Sequence, residues 1–497
     1  MFGSAEEIPK IQEPQAELKR RNARKLFDEM PERDAVSVTS LMSHLGKKKR
    51  HKEAIFIFLA MLDSDIKPTE YTFGTILHSS VAIGDINLGN QIHAYTQKTC
   101  FNSNVFVGSA MMDLYVKLGT IEEALMTFNG IHSPNVVSYT TLISGFVKER
   151  MFEKAREVFD SMPDNEKNIV SWNTMIVGYG RAGRNEDVVN LFVEMLRRGT
   201  VPSEYTYPCV AIAAANIGAL GVGRSVHACA VKFSGNRPGL YLSNSLVSFY
   251  AKCGCMDDSL LAFRKNPDRN VVSWNALICG YAQNGRGTDA IAAYEEMNRT
   301  GSVVVEPNSV TLLGLLWACT HVGKVDDGYK YFNEARSKRP EILEPEHYAC
   351  MIDLLSRSGK FLEAEKFLDD LPFDPGVGFW KALLGGCRVH SNTALGEIAA
   401  TRIVELDPDD VSSYVMLSNA HSAAGKWESV VKIRKKMKEK GLRRIPGSSW
   451  VEIGTKVHVF VTGDVRHEEK DEIYRVLRLF LEHVRVTNSL VRDDLVI

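Results

Sequence analysis

The line NIVSWNTMIVGYGRAGR, from Asn168, returns almost unchanged as NVVSWNALICGYAQNGR from Asn270, with Trp172 and Trp274 102 residues apart. A single globular core gains nothing from such repetition. An array does, because each unit must bury its apolar face on its neighbours. The gap divides into blocks 169–203, 204–239 and 240–270, of 35, 36 and 31 residues. In the block from Val271, Trp274, Leu277, Ile278 and Tyr281 fall at i, i+3, i+4 and i+7, one face of a helix. The run NGRG then breaks the pattern, and Ala290, Ile291, Tyr294 and Met297 mark a second apolar face with Gly301 as its expected end.

The two-helix pattern extends over most of the chain. ARKLFDEMPERD, ending at Asp34, reads as a second helix without its partner. Residues 1–34 are therefore an N-terminal segment with a partial repeat, and the chain is expected to start inside an array. Blocks follow at 35–69, 70–104, 105–135 and 136–168, then the triplet, then 271–308, 309–345 and 346–376. Two divergent hairpins follow at 377–410 and 411–444. Periods of 31 to 38 residues predict an all-α solenoid of helical hairpins. Its Met and aromatic stripes are expected to be core.

Composition agrees and excludes several classes. With 497 residues the chain is too long for one ordinary core, and 44% hydrophobic with 24% charged residues is typical of folded protein. A net charge of −1 rules out bulk attraction to nucleic acid, so any such contact needs a local surface. No apolar run approaches membrane-spanning length. Nine cysteines are scattered without a disulfide framework, which suits buried thiols in a reducing compartment. Cys253 and Cys255 form C-x-C, a poor zinc spacing. The first residues have neither an apolar signal core nor the acid-poor, Arg-rich character of a transit peptide.

Which solenoid this is turns on the inner face of the first helices. The fifth residue of many blocks is small and polar: Thr39, Ser109, Thr140, Asn173, Asn244 and Asn275. The last residue of the same blocks is polar as well: Thr69, Asn135, Asn168, Ser203, Asn270 and Asn308. Asn before a helix is a favoured cap, and capping alone would explain the last position in about half of such cases. It does not account for the fifth, one turn inside the helix, where Asn and Thr are poor helix formers. Two groups per repeat that donate and accept hydrogen bonds suit a base edge. A tetratricopeptide-like scaffold for proteins, without an RNA ligand, is the competing class.

VVSWNALICGYAQNG, EHYACMIDLLSRSGKFLEAEKFLDDLPF and FWKALLGGCRVHSN resemble plant organellar pentatricopeptide repeat proteins. The match is to the subclass whose P, L and S repeats cycle through about 35, 36 and 31 residues, and it covers about residues 19–485. The resemblance implies a right-handed α-solenoid that reads one RNA base per repeat through the fifth and last residues. Residues 377–444 resemble the two E motifs, residues 445–485 the start of the E+ extension, and 486–497 is left as a tail. Such proteins choose sites for cytidine-to-uridine editing in mitochondria or chloroplasts, and a zinc deaminase, the DYW domain, performs the chemistry. Other members act in RNA stability or splicing.

The zinc deaminases need a His or Cys ligand beside a catalytic Glu and a later cysteine pair. His467 and Glu469 spell H-x-E, but no cysteine follows Cys387, so no catalytic residue, metal or cofactor is expected here. The expected partners are single-stranded organelle RNA, a DYW-type deaminase in trans and accessory editing factors. SWVEIGTKVHVFVTGD, at 449–464, reads as a β-hairpin turning at Gly454–Thr455. The helix beyond it carries Ile473, Val476, Leu477, Phe480, Leu481 and Val484 on one side. It either caps the solenoid or docks the deaminase. Residues 411–446 hold nine Lys/Arg against two acids, and KKKRHK at 47–52 is a second basic run. The L blocks carry Gly74, Pro208 and Leu313 at the fifth position and are expected to read poorly. Cys350 with Gly376 matches no clear code.

Overall fold

The structure is a computed structural model that describes residues 25–30, 33–234, 239–299, 305–423, 425–442, 448–453, 456–461 and 469–493. Gly301, the Gly454–Thr455 turn, His467, Arg443 and Arg444 lie outside the described residues, as does the start of the N-terminal segment. The chain parts into two compact units, 1–217 with 226–242, and 218–225 with 243–497.

In the first unit, α1 (Ala35–Lys47) pairs with α2 (His51–Asp63), α3 (Glu70–Ile83) with α4 (Ile86–Lys98), and α5 (Val105–Leu118) with α6 (Ile121–Gly130). Next come α7 (Val136–Lys148) with α8 (Phe152–Ser161), and α9 (Ile169–Arg181) with α10 (Asn185–Arg197). After α11 (Thr206–Asn216), helices α12 (Leu220–Ser234) and α13 (Leu240–Lys252) fall at the division. The second unit continues with α14 (Met256–Lys265), α15 (Val271–Gln283), α16 (Gly287–Arg299), α17 (Ser309–Val322) and α18 (Val325–Lys338). It then has α19 (Pro345–Arg357), α20 (Phe361–Asp369), α21 (Val377–Val389), α22 (Thr393–Leu406), α23 (Val411–Ala423) and α24 (Trp427–Glu439).

Within each unit these hairpins stack as an α-solenoid. From α1 to α11 each odd-numbered helix packs on the odd-numbered helices beside it, as do α15, α17, α19 and α21. Apart from α12 and α14, the even-numbered helices form a second row, each seated on its partner, and most also touch the following first helix.

The repeated line shows why these residues make hairpins. Asn270 caps α15 by accepting from the Ser273 N–H, while the Ser273 hydroxyl accepts from the Asn270 N–H, a closed capping box. Trp274, Leu277, Ile278 and Tyr281 are all buried, as their spacing predicts. The helix stops at Gly285, whose φ of +72° is open to glycine and strained for most side chains; Gly183 does the same at +77° in the other copy. Trp172 and Trp274 repeat because each fills the same hole. Trp172 stands edge-on to Phe159 and Trp274 to Phe263, both at 4.7 Å between ring centroids. Each Phe comes from the second helix of the preceding hairpin, so the Trp joins one repeat to the next.

Two features depart from the sequence reading. The α19 helix begins at Pro345, with Glu344 as its cap, so its register starts one residue before the block boundary at 346. Pro suits a first helical position, where its missing N–H is no loss. The C-terminal helix, α25 (Lys470–Asp493), runs beyond 485 into the expected tail. Val491 returns seven residues after Val484, so the apolar period continues there. Before it, β1 (Ser448–Ile453) pairs antiparallel with β2 (Lys456–Val461), with Ser448 opposite Val461. Among the described residues no helix is long and apolar enough to cross a membrane.

Removing a junction side chain should act locally. Trp274→Ala leaves a cavity between two hairpins and is expected to cost about 3–5 kcal/mol. Hydrogen exchange should then rise in α13 to α17 and stay at wild-type levels in α1 to α5, because repeats contact only their neighbours.

Candidate nucleic-acid interface

The polar fifth and last residues meet in space through a third residue that the sequence reading missed. Each last residue except Ser203 caps the next first helix, and three places after every one of the six stands a Ser or Thr. Thr72, Ser138, Ser171, Thr206, Ser273 and Thr311 are all fully buried, where a hydroxyl needs partners. The partners are the predicted pair. Thr206 donates to Asn173 Oδ1 at 2.7 Å and shares a 3.0 Å bond with the Ser203 hydroxyl. Asn173 Nδ2 completes the triangle on Ser203 Oγ at 3.0 Å.

The triangle recurs. Ser273 donates to Asn244 Oδ1 at 2.6 Å and to Asn270 Oδ1 at 3.2 Å, while Asn244 Nδ2 reaches Asn270 at 3.3 Å. Thr311 donates to Asn275 Oδ1 at 2.6 Å and to Asn308 Oδ1 at 3.1 Å, and Asn275 Nδ2 reaches Asn308 at 2.9 Å. Ser138 joins Ser109 at 2.8 Å and Asn135 at 3.3 Å. Thr72 joins Thr39 at 2.7 Å and Thr69 at 3.1 Å. Thr140 differs: its hydroxyl donates to the Val136 carbonyl at 2.8 Å, while Asn168 caps Val170 and Ser171.

The third residue sorts the repeats. Behind the L blocks it is Val107, Leu242 or His347, which cannot hold a fifth residue in the same way. The signal was legible as N-x-x-S and S-x-x-T, the capping-box spacing.

The hydroxyl fixes the orientation of each fifth-position amide. One Oδ1 lone pair and one Nδ2 hydrogen are consumed, and one of each remains to meet a ligand. Beside them runs a second missed feature, the second residue of each block from 35–69 to 309–345, which opens the first helix everywhere except at Tyr205, one place ahead of α11. Val36, Tyr71, Phe106, Val137, Val170, Tyr205, Tyr241, Val272 and Val310 are exposed, from 47% at Phe106 to 78% at Tyr241. Four of these are aromatic, so the expectation that aromatic stripes are core holds for the helix interiors and fails at this position. Between α7 and α9 the same face opens into a groove lined by Val170 and Asn173 with the cations Lys148, Arg150 and Arg181.

Other candidates are quieter. Burial pushes the Cys350 and Cys319 thiols up to about 12, and Cys279 and Cys387 up to about 11, which keeps them protonated and inert. Cys100, by contrast, is exposed. Among the described residues no three His, Cys, Asp or Glu side chains converge in a metal-binding arrangement. In the basic tract, Lys426 pairs with Glu397, Lys440 with Asp409 at 3.2 Å and Lys435 with Glu439 at 3.8 Å, so part of its charge is neutralised.

Comparison with known proteins follows the same segments. The PPR repeat family profile matches 134–166, 167–212 and 269–321, the PPR repeat profile 36–66, 109–133 and 346–372, and the E motif profile 390–452. The mitochondrial pentatricopeptide repeat-containing protein At5g42450 of Arabidopsis thaliana is 52% identical over 469 residues, 93% of this chain and 90% of that protein. The chain belongs to the pentatricopeptide repeat family. A second mitochondrial relative from Arabidopsis thaliana, At3g02330, is 37% identical over 469 residues, 93% of this chain and 49% of its own length. The crystal structure of the pentatricopeptide repeat protein PPR10 from maize shares the fold at 18% identity and a TM-score of 0.50, over 84% of this chain and 66% of that one.

The pentatricopeptide repeat triangle has a charged version at the E motif. The fifth residue of α21, Lys381, places Nζ 2.9 Å from Asp410 Oδ1, and the hydroxyls of Ser412 and Ser413 donate to the same carboxylate. Burial pushes the Asp410 carboxyl up, but the bonds from Ser413, Lys381 and Ser412 outweigh it and hold it at about 2, below its usual 3.8. A depressed carboxylate stabilises the fold above its unfolded pKa and loses that contribution as pH falls through the folded value. Asp410→Asn should therefore lower the melting temperature at pH 7. The gap from wild type should shrink as pH falls from about 4 towards 2; a gap that is constant with pH would refute the assignment.

Proposed function

We propose that this chain is a sequence-specific single-stranded RNA-binding protein that selects sites on organelle transcripts for cytidine-to-uridine editing. The deaminase is supplied in trans by a DYW-type partner with accessory editing factors. The observation that carries the reading is one buried hydroxyl bonded to both members of five fifth–last pairs, three of them closed triangles, each beside an exposed second-position side chain. Splayed bases are read by hydrogen bonds on their edges and by stacking on their faces. The triangle offers the donors and acceptors; Val170, Tyr205 and their counterparts offer the faces.

With the code that the family resemblance implies, blocks 35–308 specify x-x-A-A-C-x-Y-Y upstream of the edited cytidine. Each matched edge contributes about 1–3 kcal/mol, by analogy with direct base readout. Filter binding should show tighter binding to this RNA than to scrambled RNA of equal length and base content. Equal affinity for the two would refute sequence selection.

A sharper test uses one triangle. Ser203→Asp keeps a cap and an acceptor for Thr206, but turns a hydroxyl into an acceptor-only carboxylate. The slot should then change preference from cytosine to uracil, whose N3–H has something to donate to. Thr206→Val removes the hydroxyl that holds Asn173, and should flatten base preference at that slot alone. Thr206→Ser should restore it. If melting temperature falls and base preference stays, these residues only cap the helix.

Recruitment of the deaminase falls to the C-terminal elements. The β1–β2 pair is a two-stranded sheet with open edges, and Val476, Leu477, Leu479, Phe480 and Leu481 of α25 are about half exposed or more. Removal of 445–497 should leave RNA affinity close to wild type and abolish editing at the cognate site in organelles. Parallel loss of affinity would make this segment a structural cap or an RNA contact. The mitochondrion is the proposed site of action, in line with the 52%-identical relative; recovery of the chain with plastids on organelle fractionation would reverse that placement.

A further inference from the structure

We propose that the last hairpin ends in an open junction that receives an amphipathic helix of another protein, one with an acidic first turn, packed where a further first helix would lie. This rests on the repeat geometry and is independent of the RNA reading. At three junctions the first residue of a second helix meets the later turns or the end of the next first helix. His51 stands 6.0 Å from His78, Phe152 5.5 Å from Tyr179 and Phe361 5.7 Å from His390, between ring centroids. The eighth residue meets the early turns: Phe159 on Trp172, Phe263 on Trp274 and Phe332 on Tyr348. In α24 the first residue is Trp427 and the eighth is Arg434. The elements that follow it are β1 and β2, not a first helix. Trp427 is 66% exposed, and so is Val431 one turn on. Trp427, Val431, Arg434 and Lys438 fall at i, i+4, i+7 and i+11 and form one bare stripe. A terminal repeat needs a polar outer face to stay soluble; this stripe opens on a tryptophan.

The junctions within the array fix how the occupant lies. The fourth residue of α9, Trp172, meets Phe159 and the eleventh, Tyr179, meets Phe152, so the incoming helix runs antiparallel to the second helix it covers. On α24 its eleventh residue meets Trp427, and an apolar side chain there buries the ring. Its first turn meets Arg434, where other junctions have phenylalanine, with Lys438 one turn beyond. Arg434 donates to the Ser418 hydroxyl at 3.4 Å. Neither cation has a carboxylate partner among the described residues, whereas Lys426, Lys435 and Lys440 have theirs in Glu397, Glu439 and Asp409. Acids in the first turn of the occupant complement this charge and are favoured by its own helix dipole. The base-reading pairs belong to first helices, and α24 is a second helix, so its cations lie outside that row. The chain's own α25 is engaged elsewhere: Ile473, Tyr474 and Leu477 line a groove with Val459, Phe460 and Val461 of β2, and Glu472 pairs with Arg475 at 2.9 Å.

The test uses the full chain and two fluorescent peptides of residues 168–182, the α9 segment, stapled on the outward side to hold them helical. One carries Ile169→Glu and Trp172→Glu, the other Ile169→Lys and Trp172→Lys; both keep Tyr179. By fluorescence anisotropy the Glu peptide should bind about tenfold or more tightly than the Lys peptide, and less tightly as salt rises. Arg434→Glu with Lys438→Glu should reverse that order. Trp427→Ala should weaken the Glu peptide about fivefold or more, the least expected of a residue that anchors an interface. Circular dichroism melting confirms that each variant is folded. Equal binding of the two peptides, no binding of either, or an order that survives the charge reversal would overturn the proposal. Three further measurements ask whether something else covers the stripe. Phe480→Glu on α25 should leave peptide affinity unchanged; a fivefold gain would make α25 the occupant. Sedimentation should show no dimer that Trp427→Ala abolishes; such a dimer would make a second copy the occupant. Single-stranded RNA should not displace the Glu peptide; displacement would make the stripe an RNA contact. Any of these three results would overturn the assignment to a partner helix.

Discussion

A buried hydroxyl at the start of six first helices organises the interface. Thr206, Ser273 and Thr311 each lie with no exposure to solvent, three places after the last residue of the preceding block. There the hydroxyl closes a capping box within its own helix or holds the cap side chain, and it grips the fifth residue of the preceding one. Left without partners it would cost about 1–3 kcal/mol, so the arrangement is fixed by desolvation as much as by the bonds. The consequence is a division of labour. The hydroxyl is the constant corner, and the fifth and last residues vary among Thr, Ser and Asn as long as they can accept from it. A repeat can therefore change what it presents without changing its fold.

Apolar packing supplies the spacing that makes this useful. Phe159 against Trp172 and Phe263 against Trp274 set equivalent junctions with the same 4.7 Å separation. The same kind of plug recurs at Phe128 with Tyr139, Phe192 with Tyr207 and Phe332 with Tyr348, so these first helices are placed alike. The left-handed glycines that end the first helices keep the second helices in the second row, away from this face. Gly74 does the opposite work: it is helical, and what matters there is the missing Cβ, into whose space Phe106 packs.

The architecture was legible because it is periodic. Trp274, Leu277, Ile278 and Tyr281 announce a helix face by spacing alone, and NGRG announces its end. The pairs at the fifth and last positions were legible by recurrence. Ser273 and Thr311 were not noticed, because a hydroxyl near a helix start reads as a local cap, and its second bond, to a residue about thirty positions earlier, is tertiary. Tyr71 and Phe106 were missed for a related reason: composition marks an aromatic residue as core, and only packing shows that the second position faces outward. Cys350 was placed by a block boundary that the cap at Glu344 moves by one residue. The Lys381–Asp410 pair contains neither Asn nor Thr, yet its geometry keeps the same three corners.

The central claim is that the fifth and last residues carry base identity in chain order. Selection of single-stranded RNA from a random pool by the full chain, followed by sequencing of the bound fraction, tests it most directly. The account predicts a motif with adenine, adenine and cytosine at consecutive positions, then an unspecified nucleotide, then two pyrimidines. Enrichment of a motif whose informative positions fall on the L slots, or no enrichment over the starting pool, would contradict it.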